Sequence, residues 1–203
     1  MCRRSVGAMT LVLALASSAS AASAQSSSPA SSPAPVDPAA AQAWCEAKGG
    51  TVVEHHAYFG TNNDQSQWVD LGRSIELCRF EADDEAQSRI WVDIITLATP
   101  TPTLASAAYL AKVQNELDPA KGNPATQDCT ALGGTSVFGP GASGGGWVAV
   151  DDPTDIIALC MFAVGSAIEE WGITYYAAGT VRGADLAPLF GWSDHDPLPS
   201  FFG

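Results

Sequence analysis

Along this chain the apolar residues change their period several times, and each change marks an element. Val6–Ala16 is an unbroken apolar run, too short to span a bilayer. From Ala39 to Ala47 the residues have high helix propensity. Asp37 stands where it can cap that helix, and Pro38 suits the first helical position. Gly49-Gly50 stops the helix. Thr51-Val52-Val53 then predicts a strand, followed by a polar loop, Gly60–Asp64. Trp68–Leu71 and Ile75–Phe80 alternate like half-buried strands. A last apolar stretch opens at Ser88 and contains Ile90, Trp91 and Ile94; its β-branched content suits a strand.

The same order then recurs. Asn123-Pro124 opens a helix that ends at Gly133-Gly134, and Thr135-Ser136-Val137 follows. A Gly-rich loop leads to Trp147–Val150, and Ile157–Phe162 repeats the earlier Leu-Cys-x-Phe strand. The motif C-x-x-x-G-G-T occurs once in each copy, Cys45–Thr51 and Cys129–Thr135. The predicted fold class is α+β: two tandem copies of a small disulfide-stapled helix–strand–strand–strand/helix unit, residues 37–99 and 121–179, joined by a helix. That helix is predicted over Thr103–Leu117, within a connection of residues 100–120, and packs the copies together. Residues 180–203 form an irregular tail, with Leu189, Phe190 and Trp192 placed to dock on the body.

The N-terminus sets the compartment. Arg3-Arg4, the apolar run and Ala22-Ser23-Ala24 make the three-part pattern of a secretory signal, residues 1–24, cleaved after Ala24. Cys2 precedes the apolar run, where a lipid-attachment cysteine does not lie, so a periplasmic or secreted product without stable membrane insertion is expected. Residues 25–36 are almost entirely Ser, Ala and Pro and cannot bury enough apolar surface to offset their ordering entropy, which predicts a disordered tether.

Cleavage leaves an even set of cysteines, Cys45, Cys78, Cys129 and Cys160, in an oxidising compartment. Four cysteines allow three pairings. Duplication favours closure within each copy, Cys45–Cys78 and Cys129–Cys160, each link contributing roughly 3–4 kcal/mol. Cleavage also leaves seven basic residues against 22 acidic ones, a charge of −15. Such a surface repels phosphate backbones and anionic headgroups, which argues against nucleic-acid binding and electrostatic membrane docking.

Asn123-Pro124-Ala125, Cys129, Gly133-Gly134, Cys160 and Glu169-Glu170-Trp171 together resemble the small bacterial envelope proteins of domain-of-unknown-function family 333, often labelled hemolysin-like. The first copy is more divergent, with Asp37 in place of Asn and only Trp91 of the Glu-Glu-Trp element. The resemblance implies an envelope or secreted module and no catalytic residues. Family members are mostly lipoproteins and often carry further cysteines near the Glu-Glu-Trp element; this chain departs on both counts.

Other candidate chemistry is sparse. Gly141-Ala142-Ser143-Gly144-Gly145 fits G-x-S-x-G, with Asp194-His195 downstream. Ser143 lies in a glycine-rich loop, without the strand-to-helix turn that motif needs, so a flexible loop is the better reading. His55 and His56 are adjacent on a predicted half-exposed edge strand, and adjacent strand side chains point to opposite faces, so they do not readily share a metal. Asp83-Asp84-Glu85 and Asp151-Asp152 with Asp155 read as solvated turn charges, without the spacing of an EF-hand loop. Ser166 and Glu169 fit a capping box that starts a helix, with Glu170 in its first turn and Trp171 over the sheet. Glu169, Glu170 and Trp171 are also the candidate recognition residues. No catalytic set, metal site or cofactor is predicted. The function expected is a non-catalytic binding or interaction module with an envelope or secreted protein partner. The alternatives are a secreted hydrolase inhibitor presenting the loop Gly139–Gly146, or a serine hydrolase using Ser143, Asp194 and His195.

Intact-mass measurement of exported protein is expected to give a chain beginning at Gln25 without lipid. A chain still beginning at Met1, or carrying lipid, contradicts this reading.

Overall fold

In the computed structural model, which describes residues 35–116, 118–136 and 144–192, Asp37 and Pro38 start helix α1, Pro38–Ala47. A long hairpin follows, β1 (Thr51–Phe59) and β2 (Val69–Glu81), then β3 (Arg89–Asp93), the short helix α2 (Ile94–Ala98) and α3 (Leu104–Ala111). The second half runs α4 (Pro124–Ala131), β4 (Thr135–Ser136), β5 (Gly145–Ala149), β6 (Ile156–Ile157), β7 (Leu159–Met161), β8 (Ala167–Glu169) and α5 (Glu170–Ala177). All these elements fall in one unit, Pro33–Gly203. Residues 1–34, which hold the expected signal and most of the expected linker, lie outside the described residues. The fold is α+β. Among the described residues no helix is long and apolar enough to cross a membrane.

The strands form an antiparallel sheet in the order β4-β7-β8-β3-β2-β1-β5-β6. Strands β6 and β7 stand far apart in that order, yet only Ala158 separates them in the chain. The sheet therefore curls until one continuous segment, Ile156–Met161, supplies both one edge strand, β6, and the strand next to the opposite edge, β7. Its register aligns Val52 with Cys78, Cys78 with Val92, Val92 with Ile168, Ile168 with Cys160, and Cys160 with Ser136. Residues directly opposite in a ladder share a face, so both strand cysteines lie on one side of the sheet.

That side carries the helices. Phe80, Ile90, Val92, Ile168 and Phe162 pack there with Ala41, Leu97, Ala108, Tyr109, Ile173 and Tyr176. The curled inner side holds a second core of Val53, Ala57, Leu77, Trp91, Trp147, Ile157, Leu159 and Ala167. Strand β3 shows the alternation plainly: Ile90 and Val92 face the helices, and Trp91 faces inward.

Cys45 of α1 bonds Cys78 of β2, and Cys129 of α4 bonds Cys160 of β7, closing separations of 33 and 31 residues. The two glycines of C-x-x-x-G-G-T have different tasks. Gly49 and Gly133 take φ of 85° and 80°, the left-handed conformation that ends a helix with little strain only for glycine. Gly50 and Gly134 leave room for sulfur: a Cβ on Gly50 would run into the Sγ atoms of Cys78 and Cys45, and one on Gly134 into those of Cys160 and Cys129.

Two local expectations are corrected. Helix α3 stops at Ala111 rather than Leu117, with Lys112 left-handed at φ 48°. The Lys112 ammonium sits 4.2 Å from the centre of the Tyr176 ring, and Gln114 donates to the Ala177 carbonyl at 2.8 Å; these tertiary contacts replace a further helical turn. Ser166 does not form a capping box with Glu169, because Ala167–Glu169 is a strand paired to β7 and, through Ile168, to β3. Its hydroxyl accepts instead from the Ala105 amide at 3.3 Å. Up to Trp192 the tail is irregular apart from one short turn, Ala187–Leu189, and docks on the body as expected. Phe190 and Trp192 are buried and stack at 5.6 Å, and Gly191 donates to the Leu97 carbonyl at 2.7 Å.

Removing either disulfide by paired Cys→Ala substitution is expected to lower unfolding free energy by roughly 4 kcal/mol. Gly50→Ala should cost about 1–3 kcal/mol by overpacking, and much less once Cys45 and Cys78 are both alanine. Equal cost in the two backgrounds, read from denaturant melts, would contradict the sulfur-clearance role.

Candidate functional site

The inward face of the curled sheet ends in a cluster of charges. On β3, Arg89 alternates with Trp91 on that face; on β8, Glu169 follows Ala167 there. The turn between β5 and β6 brings Asp155, and the chain after α5 returns Arg182. With Trp171 they line a cavity of about 250 Å³. Two ion pairs span it: Arg182 Nη1 to Glu169 Oε1 at 3.4 Å and Arg89 Nη1 to Asp155 Oδ2 at 3.3 Å. The acids lie deep, their side chains 9% and 7% exposed, while those of Arg182 and Arg89 are 28% and 40% exposed.

Glu169 uses only half of its carboxylate. Its Oε2 is buried without a hydrogen-bond partner. Burial pushes its pKa up to about 7; Arg182 and Arg89 pull against that rise, and Asp155 and Glu170 add to it. The walls are aromatic. Trp171 and Tyr175 have ring centres 5.5 Å apart, the Arg182 guanidinium lies 5.2 Å from the Tyr175 ring, and that of Arg79 lies 5.4 Å from Trp91. A buried carboxyl poised near neutrality, two guanidinium groups and two indoles can hold a small polar molecule and exchange a proton with it.

The candidate recognition residues separate at this point. Glu169 and Trp171 line the cavity. Glu170 is fully buried on the helix side, where it accepts from Thr126 Oγ1 at 3.0 Å. Burial raises its pKa, and the hydroxyls of Ser136 and Thr126 oppose the rise. Next to it Asp128 accepts from Thr174 at 2.8 Å and Asn115 at 2.9 Å, so these acids bind α4 to α5.

Strand β1 is not an edge: it lies between β2 and β5. His55 is therefore fully buried, with Trp91 edge-on at 4.8 Å, and burial lowers its pKa. His56 points to the other face, 3.1 Å from Glu54 Oε1. Asp155 is not a solvated turn charge, because the turn folds it back beneath Arg89. Asp84 and Asp152 do remain in exposed turns, bonded to Ser88 and Thr154. Among the described residues no group of three or more His, Cys, Asp or Glu is placed to hold a metal ion. Ser143, Asp194 and His195 lie outside the described residues, as does most of the Gly139–Gly146 loop; Gly145-Gly146 begin β5.

Arg89, Asp155 and Arg182 carried no local motif. Their one signal is scarcity: two arginines in a chain so poor in basic residues, each taken up by a buried acid. A larger hollow of about 530 Å³ outside the sheet is bordered by His56, Tyr58, Trp68 and Val150, but no buried charged side chain lines it among the described residues. No family model matches this chain, and neither a curated protein nor a solved structure does.

Between its usual value of 4.5 and about 7, Glu169 is protonated in the folded protein and ionised in the unfolded chain. The folded state binds the extra proton, so this group's contribution to stability falls as pH rises through that window. Wild type is expected to lose about 2 kcal/mol relative to Glu169→Gln between roughly pH 5 and pH 8. His55 and Asp93, on which Glu169 has no resolved effect, are common to both proteins and cancel. Parallel stability curves in urea melts would contradict the assignment.

Proposed function

We propose that this protein is an exported, non-catalytic binding module of the bacterial envelope, built from two tandem copies of a disulfide-stapled unit, residues 37–99 and 121–179. Its ligand site is the cavity around Glu169. The observation that carries this reading is the bare Oε2 of Glu169, because a carboxylate oxygen buried without a partner costs free energy that a bound donor recovers.

The duplicated organisation draws support from matched details. Each disulfide joins a helix to a strand, and each C-x-x-x-G-G-T ends its helix in the same way. Asp93 faces Leu77 and Glu169 faces Leu159, so an acid ends each inner strand just before a helix. Asp93 caps α2, accepting from the Thr96 amide at 2.9 Å. Glu169, one methylene longer, makes no cap bond and turns to Arg182. In this reading the second copy has converted a capping acid into a ligand-binding one. The secretory pattern and the two disulfides favour an oxidising, exported setting, and family 333 remains the family the motifs resemble.

The test is a screen of small polar metabolites (sugars, amino acids, nucleosides, dicarboxylates) by amide and indole NMR shifts. Binding is expected to move the Trp91 and Trp171 indole signals, and Glu169→Ala should weaken it at least tenfold. Shifts confined to the hollow beside Tyr58 and Trp68, or none with any compound, would overturn the assignment.

A further inference from the structure

We propose that the Glu169 cavity takes a small zwitterion, a molecule of α-amino-acid size carrying one ammonium and one carboxylate. This rests on the cavity being a binding site and adds the class of ligand. The charges in it are separated by depth. The carboxylates of Glu169 and Asp155 form the floor, and the more exposed guanidinium groups of Arg182 and Arg89 form the rim.

A ligand entering ammonium first approaches the Glu169 carboxyl, one oxygen of which has no hydrogen-bond partner, with Asp155 on the same floor. Its carboxylate then stays at the rim. Each guanidinium meets its acid through one Nη1 alone, which leaves further N–H groups of its fork to donate to a second carboxylate. Trp91 and Trp171 line the space between the charged ends, and indole carbons suit the carbon skeleton of such a molecule.

Ligands of a single charge fit less well. A lone anion would answer the rim but face two acids below it. A lone cation would answer the floor but pass two arginines and leave them unanswered. A neutral molecule would leave both sets of charges facing only each other, and the cavity, at about 250 Å³, is below the size usual for larger ligands.

Titration calorimetry and NMR with glycine, alanine and leucine, against alanine methyl ester and N-acetylalanine, provide the test. At least one free amino acid should bind and move the Trp91 and Trp171 indole signals. Blocking either its amine or its carboxylate should weaken binding tenfold or more. Glu169→Gln and Arg182→Gln, each verified as folded by circular dichroism and its melting midpoint, should weaken the free amino acid by a similar factor. Equal binding of a blocked derivative overturns the zwitterion. If amino acids leave the indoles untouched while another class of metabolite moves them, the zwitterion fails and the binding site stands. If no compound moves them, both fail.

Discussion

Two sulfur–sulfur links on one face of a curled sheet set the rest of this fold. Cys78 and Cys160 stand in the same cross-strand row, directly flanking the Val92–Ile168 pair of β3 and β8, and each holds a helix against that face. With the helices fixed there, the opposite face must bury its own side chains by curling around them. Trp91, Trp147, Leu77 and Leu159 fill that interior. The polar residues of the same face, Arg89 and Glu169, are carried to its end, where interior gives way to solvent. The cavity around Glu169 is thus a product of the curl, and the curl depends on which face the disulfides assign to the helices.

Much of this was legible in the chain. The cysteine pairs follow from two similar segments, and the doubled glycines announce a helix end; that Gly50 and Gly134 also clear the sulfur atoms shows only in the structure. The β-branched content of the stretch from Ile90 suits the strand it forms. What could not be read locally is what tertiary pairing decided. Ser166 and Glu169 have the spacing of a capping box, yet ladder bonds to β7 and β3 outweigh it and delay the helix to Glu170. His55 reads as half-exposed until β5 arrives on its open side from some ninety residues later in the chain. Arg182 and Asp155 reach the cavity only through the closure of the sheet and the return of the tail, neither of which leaves a periodic signal.

Asp93 and Glu169 differ by one methylene and by what answers their oxygens. Both end an inner strand before a helix. Asp93 spends its oxygens on the α2 amides and the Thr96 hydroxyl. Glu169 meets one arginine and keeps the other oxygen bare. Burying a half-satisfied carboxyl is costly, and such a cost is tolerated most readily where a ligand or a proton answers it.

The central claim is therefore about the protonation of one side chain. A carbon-13 NMR titration of the Glu169 carboxyl in the folded protein tests it directly. The account predicts a midpoint near 7; a midpoint at the ordinary value of 4.5 would mean that the carboxyl is solvated, and the account of the cavity would be wrong.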